Sequence, residues 1–190
     1  METLSYEYLG GLIRRWRAGE TQLDTEATIF PLPALRALLA QTRADLQRIP
    51  ETWSQQELIA RPPVHLPADD GEDLWSATEI ITHLIATQNW YMLNIGRLLG
   101  RRERFEVMPR GLGDHASNDI DASTLATQLQ HATATLLDYV DGVPADAELS
   151  AQRDSTFFGM LSLRGWVLLA CVHDHDHLAQ IGRLKHVIQG

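Results

Sequence analysis

The run His173-Asp174-His175-Asp176-His177 carries the densest chemistry in the chain. What it can do depends on local structure. On a strand, with a period of two, all three imidazoles would point to one side, as in the metal motifs of several β-based hydrolases. On a helix, at roughly 100° per residue, His173 and His177 share a face and His175 points almost oppositely. The flanks favour the helix. Trp166, Leu169 and Ala170 before the run, and Ile181, Leu184 and Ile188 after it, keep helical spacing. That stretch is far longer than the roughly 5–6 residues of a typical strand. His175 is therefore expected at solvent or on the rim of the fold, and Asp174 and Asp176 on a solvated face.

Two histidines four apart on a helix form a metal clamp, because their ring nitrogens converge without backbone strain. Alone, the pair also reads as two imidazoles satisfied by water or polar neighbours. A third histidine changes this balance. His83 lies on another apolar stripe, and if the two helices pack side by side, His83, His173 and His177 meet in the interior. Three neutral imidazoles with an open fourth position are a catalytic zinc arrangement. Imidazole also suits nickel and iron, so the donors leave the metal open. Burying three uncoordinated imidazoles would be costly, which favours coordination. Two other metal patterns are missing: the Glu-x-x-His pairs of di-iron bundles and the His-Glu-x-x-His of metalloproteases.

The elements that must position these residues are helical. Leu35, Leu38, Leu39, Leu46 and Ile49 recur at three- and four-residue steps, with Pro31 and Pro33 before and Pro50 after, predicting a helix over about residues 33–49. Ser76-Ala77-Thr78-Glu79 is a capping box, with Trp75 and Ile80 placed for a hydrophobic staple. The stripe Ile80, His83, Leu84, Thr87, Tyr91, Ile95 and Leu98 follows, with Gly100 as its stop. A third helix is predicted over about residues 123–140 and a long fourth over about residues 162–188. Ser54-Gln55-Gln56-Glu57 opens a short helix to about Ala60, and Tyr6, Leu9, Ile13 and Trp16 predict an N-terminal helix lying against the rest. Residues 62–74 and 101–120 read as loops. No paired β-branched runs flank a tight turn, so no sheet is predicted. Four amphipathic helices with mostly modest or long connections predict an all-α four-helix bundle.

Together these motifs resemble the DinB-like superfamily of bacterial four-helix bundles, which includes bacillithiol- and mycothiol-dependent S-transferases. The resemblance rests on Trp75-Ser76-Ala77-Thr78-Glu79 leading to His83-Leu84, and on His173-x-x-x-His177-Leu178-Ala179-Gln180-Ile181. It covers roughly residues 33–188. It implies a DinB-like bundle domain over residues 33–190 with an N-terminal helical extension over residues 1–32. It also implies a divalent-metal triad of His83, His173 and His177, filled by zinc or nickel with iron or manganese as further options, and a homodimer. The activity it points to is transfer of a low-molecular-weight thiol to an electrophilic small molecule. The ligands themselves permit either a metal-bound thiolate or a metal-bound hydroxide. A hydrolase and a non-catalytic metal- or ligand-binding bundle associated with stress are the alternatives.

Charge and cysteine content narrow the setting. The 190 residues carry 16 Lys+Arg against 25 Asp+Glu, a net charge of −9, without a dense basic stripe; nucleic acid is not expected as a partner. No secretory signal pattern opens the chain, and the longest nearly unbroken apolar run, residues 165–172, is too short to span a membrane. A lone cysteine, Cys171, forbids an internal disulfide and fits a reducing compartment, so a cytoplasmic protein acting on a small molecule is expected. On a helix Cys171 points away from His173, which predicts a small buried hydrophobe rather than a nucleophile. Asn94 and Gln180 are candidates for orienting a ligand, and Trp90, Tyr91 and Trp166 for lining an apolar pocket, although exposure and core packing explain them as well. Arg101, Arg102 and Arg104 could meet an anionic cofactor or simply complement a helix dipole. His65, His115, His131 and His186 are read as surface residues.

Overall fold

The computed structural model describes residues 4–67, 72–102, 104–105 and 117–189. Seven helices and one small hairpin follow in the order α1 (Tyr6–Arg17), α2 (Leu23–Ala27), α3 (Leu32–Thr52), α4 (Gln55–Ile59), α5 (Ala77–Leu98), α6 (Ala122–Asp141), β1 (Gln152–Asp154), β2 (Met160–Ser162) and α7 (Leu163–Gln189). The four long helices form the bundle. α3 and α5 each pack against both α6 and α7, so α5 lies beside α7, as the placement of His83 requires. α3 and α5 therefore occupy opposite corners. The chain between them is correspondingly long, and α4, which packs on α5, is folded into it.

The local signals act as their chemistry predicts. Ser76 accepts from the Glu79 N–H and Glu79 reaches back to the Ser76 N–H, fixing the start of α5. The same reciprocal box at Ser54 and Glu57 opens α4. Asp121 caps α6 by accepting from the Thr124 N–H. Each such cap contributes about 1 kcal/mol. Gly100, at φ 68°, takes the left-handed conformation that ends α5.

Two expectations need correction. Pro50 does not end α3, which runs on to Thr52 with Pro50 inside it. Pro50 sits in the final turn, so little helix remains to be disrupted, and the buried ring stays in the core. The Trp53 N–H still reaches the Ile49 carbonyl at 2.9 Å. The chain also contains a strand pair: β1 and β2 are antiparallel, with Arg153 opposite Leu161. The hairpin is held from outside. The buried Asp24 carboxylate of α2 accepts from the Ser162 N–H at 2.6 Å and from the Gln152 amide at 2.5 Å.

Apolar side chains divide into two clusters stacked along the bundle. One joins α1 and α2 to Leu35, Tyr91, Leu136 and Trp166. The other gathers Leu46, Ile80, Leu84, Leu125, Ile181 and Leu184. Between them every long helix contributes buried polar residues: Thr42 and Arg43 from α3, His83 and Thr87 from α5, Thr133 from α6, and Asp174 and His177 from α7. The histidines belong to this polar layer. α1 is not a detached appendage, since Leu9 and Leu12 are fully buried and the helix packs on α7. No helix among the described residues is long and apolar enough to cross a membrane.

Candidate metal centre

α5 and α7 bring the three predicted histidines together. His83 Nε2 lies 3.2 Å from His173 Nε2, and His177 Nε2 lies 3.1 Å from that same atom. One ring nitrogen from each of the three falls within 4.8 Å of the other two. Nitrogens bound to one tetrahedral zinc at about 2.0–2.1 Å stand about 3.3 Å apart, so the triad is close to a ligand set as it stands. His83 and His177 are buried, while His173 keeps partial exposure. The half-buried Trp75 indole packs 5.2 Å from the His83 ring, forming a wall of the site at the start of α5.

The outer nitrogens explain how the inner ones are aimed. The Gln180 amide donates to the Glu72 carbonyl at 2.7 Å, which turns its oxygen toward His177 Nδ1 at 2.8 Å. His177 Nδ1 must then donate, leaving the lone pair on Nε2 facing the other histidines. The Tyr91 hydroxyl lies 2.9 Å from His173 Nδ1. Desolvation, then the neighbouring His177 and His83, push His173 well below its ordinary pKa and keep its imidazole neutral. Desolvation also raises the Tyr91 phenol and keeps it protonated. Metal ligation requires neutral, oriented, convergent imidazoles, and here burial holds the His173 ring neutral while Gln180 holds the His177 ring in place.

Two neighbours, Asp174 and His175, depart from expectation. Asp174 is not on a solvated face: it is fully buried and accepts from Arg43 Nε at 2.8 Å and Thr42 Oγ1 at 3.1 Å. A buried carboxylate needs such a partner, and α3 supplies it. Desolvation raises the Asp174 pKa, against the opposing pull of Arg43. His175 does face away from the triad, but α1 covers it, with the Tyr6 ring 5.2 Å away. Asp176 is partly exposed and pairs with Arg17 at 2.8 Å. Cys171 is buried against the Leu35 carbonyl, away from the triad, and desolvation raises its thiol pKa well above the usual value.

The remaining candidates sort by contact. Gln180 orients a triad histidine as described. Asn94 instead accepts from Arg153 Nε at 3.0 Å. Trp166 is core, edge-on to Trp90 at 4.8 Å. Arg101 lies over the Tyr139 ring at 4.8 Å, while Arg102 and Arg104 are exposed. His65 is exposed and paired with Asp73; His131 and His186 are exposed; His115 lies outside the described residues. Two residues near the site escaped sequence reasoning. Arg43 could have been noticed as a lone cation on the Leu39–Leu46 stripe. Glu72, whose carboxylate lies 3.9 Å from His177 Nε2, sits in a loop with no periodicity to expose it.

A family model describing the DinB superfamily matches residues 38–181. The chain belongs to the DinB superfamily. Its all-α fold is that of the family, and α1 and α2 precede the matched segment. Among solved structures, the crystal structure of the mycothiol-dependent maleylpyruvate isomerase resembles this DinB-superfamily protein with a TM-score of 0.63 and 14% identity. The likeness covers 85% of this chain but only 63% of that one, and at this identity it speaks for the fold. No curated protein matches the sequence.

Proposed function

We propose that this DinB-superfamily protein binds one divalent metal ion through His83, His173 and His177. We propose further that it joins a low-molecular-weight thiol to an electrophilic small molecule. One observation carries the reading: three Nε2 atoms from two helices converge at 3.1–3.2 Å about His173, which remains partly accessible. The donor chemistry fits a cation. His177 Nε2 bears a lone pair, and His173 Nε2 faces a ring nitrogen on either side, a cluster that one shared cation would satisfy.

A divalent ion in such a site lowers the pKa of a bound thiol, so that thiolate exists at neutral pH. The chain does the rest. Gln180 and Tyr91 hold the imidazoles in orientation, the two apolar clusters exclude bulk water, and His173, the least buried of the three, is the side from which the small molecule would approach. The overall change breaks the thiol S–H bond and the bond from the electrophilic carbon to its leaving group, forms a carbon–sulfur bond, and releases the proton and the leaving group with its electron pair to solvent. Cys171 cannot supply the sulfur, so the thiol must come from outside. The thiol dependence named for the structurally similar isomerase supports this choice over hydrolysis. We take zinc or nickel as the first metals to try, and a cytoplasmic homodimer as the working form.

The test is elemental analysis of purified protein beside His83→Ala and His177→Ala, followed by assay of thiol panels against a chromogenic electrophile. Stoichiometric metal in the parent, its loss in both variants, and metal-dependent thiol consumption are expected. Equal metal content in all three proteins would overturn the triad. Metal binding with hydrolysis and no thiol consumption would replace the transferase with the hydrolase.

A further inference from the structure

Imidazoles ligate a metal as neutral donors, so a divalent ion held by three of them would bring uncompensated positive charge into a poorly hydrated layer. The carboxylates flanking the ligands on α7 are engaged elsewhere. Asp174 is held by Arg43 and Thr42, and Asp176 by Arg17. Asp73 is paired with His65 on the surface.

Glu72 lies against the triad itself. Its side chain is nearly buried, and its Oε2 lies 3.9 Å from His177 Nε2, the nitrogen turned toward the other two rings. The placement is built in. The Glu72 carbonyl receives the Gln180 amide at 2.7 Å, and that same Gln180 holds His177 Nδ1. The Trp75 N–H closes a turn on the Glu72 carbonyl at 3.1 Å, and the Leu66 N–H binds the Asp73 carbonyl at 3.0 Å. One glutamine thus fixes both a ligand and the backbone that carries a carboxylate to the ligand's inner edge.

We infer that Glu72 is a positioning residue of the metal centre, whose carboxylate compensates the charge of the divalent ion and sets the affinity of the three-histidine site. This rests on the metal reading above. It assigns the loop before α5, and not the helices alone, a share in holding the ion.

The experiment is titration of metal-free protein with Co(II) and with Zn(II) against a chromophoric chelator, for the parent, Glu72→Gln, Glu72→Asp and His83→Ala. Glu72→Gln keeps shape and loses charge. It should bind one ion about 10–100-fold more weakly, the range typical of residues that support metal ligands. Glu72→Asp, which restores the charge, should recover most of the loss, an outcome that a packing role would not produce. The unfolding midpoint of metal-free Glu72→Gln should match the parent, while the stabilisation gained on adding metal should shrink. Parent-like affinity in Glu72→Gln, with binding abolished in His83→Ala, would overturn the role of Glu72 and leave the triad standing. Weakening in Glu72→Gln without recovery in Glu72→Asp would also overturn the charge role. Absence of stoichiometric binding in the parent would overturn the triad reading, and this inference with it.

Discussion

Gln180 and His177 stand three residues apart on α7 and meet at 2.8 Å through Oε1 and Nδ1. The contact uses the helical neighbour relation to set the tautomer of a histidine whose other nitrogen faces the triad. Gln180 would be an ordinary polar helix residue without it.

Loss of that contact should weaken metal binding rather than folding. Gln180→Leu is expected to raise the metal dissociation constant about 10–100-fold. Gln180→Glu, which keeps an acceptor for Nδ1 but loses the amide donor to the Glu72 carbonyl, should fall between Gln180→Leu and the parent. Chelator competition on the metal-free proteins measures both, and equal affinities for parent and Gln180→Leu would refute the orienting role.

The ion pair between Arg43 and Asp174 is fully buried, so breaking one side leaves a charge stranded. Arg43→Met should cost about 3–5 kcal/mol in urea unfolding of the metal-free protein. The double variant Arg43→Met/Asp174→Leu should regain most of that loss, because it removes the charge left behind. A double variant as unstable as Arg43→Met would point to tight packing around the pair instead.

Glu26 ties α1 to α2, accepting from Tyr8, Thr21 and Arg15. Desolvation pushes its carboxyl upward, yet these three partners outweigh it and leave the pKa below the ordinary 4.5. The unfolded chain therefore takes up this proton first as pH falls. The contribution of Glu26 is complete above about pH 4.5 and is lost as pH drops through the lower folded value. Unfolding midpoints between pH 6 and 3 should show a shallower acid slope in Glu26→Gln than in the parent; identical slopes would exclude the linkage.

The fully buried Leu12 makes α1 part of the main core, although α1 precedes the family-matched segment. Leu12→Ala should destabilise the whole protein by about 2–5 kcal/mol in a single unfolding transition. A separate early transition for α1 would support an extension that melts independently of the bundle.

The long helices were legible because their apolar stripes, the prolines at the start of α3 and the capping boxes are local signals. The histidine triad was legible because two of its members share a helical face and the third lies on a buried stripe of the adjacent helix. What escaped reading depends on distant partners. The β1–β2 hairpin contains no β-branched run; it stands on Asp24, far away in sequence, and on Thr156 and Gly159 in positive-φ conformations. Asp174 looks like a surface acid until Arg43 is brought against it. Glu72 carries no periodic pattern, so only the folded loop reveals its proximity to His177.

The depth of Cys171 has a practical meaning for a protein proposed to handle electrophiles. Its sulfur is packed against the Leu35 carbonyl and held in the protonated form, so an alkylating compound would meet no ready nucleophile belonging to the chain there. A catalyst of the proposed kind would not spend this thiol on the molecules it turns over, and the sulfur would stay silent in labelling of the folded state.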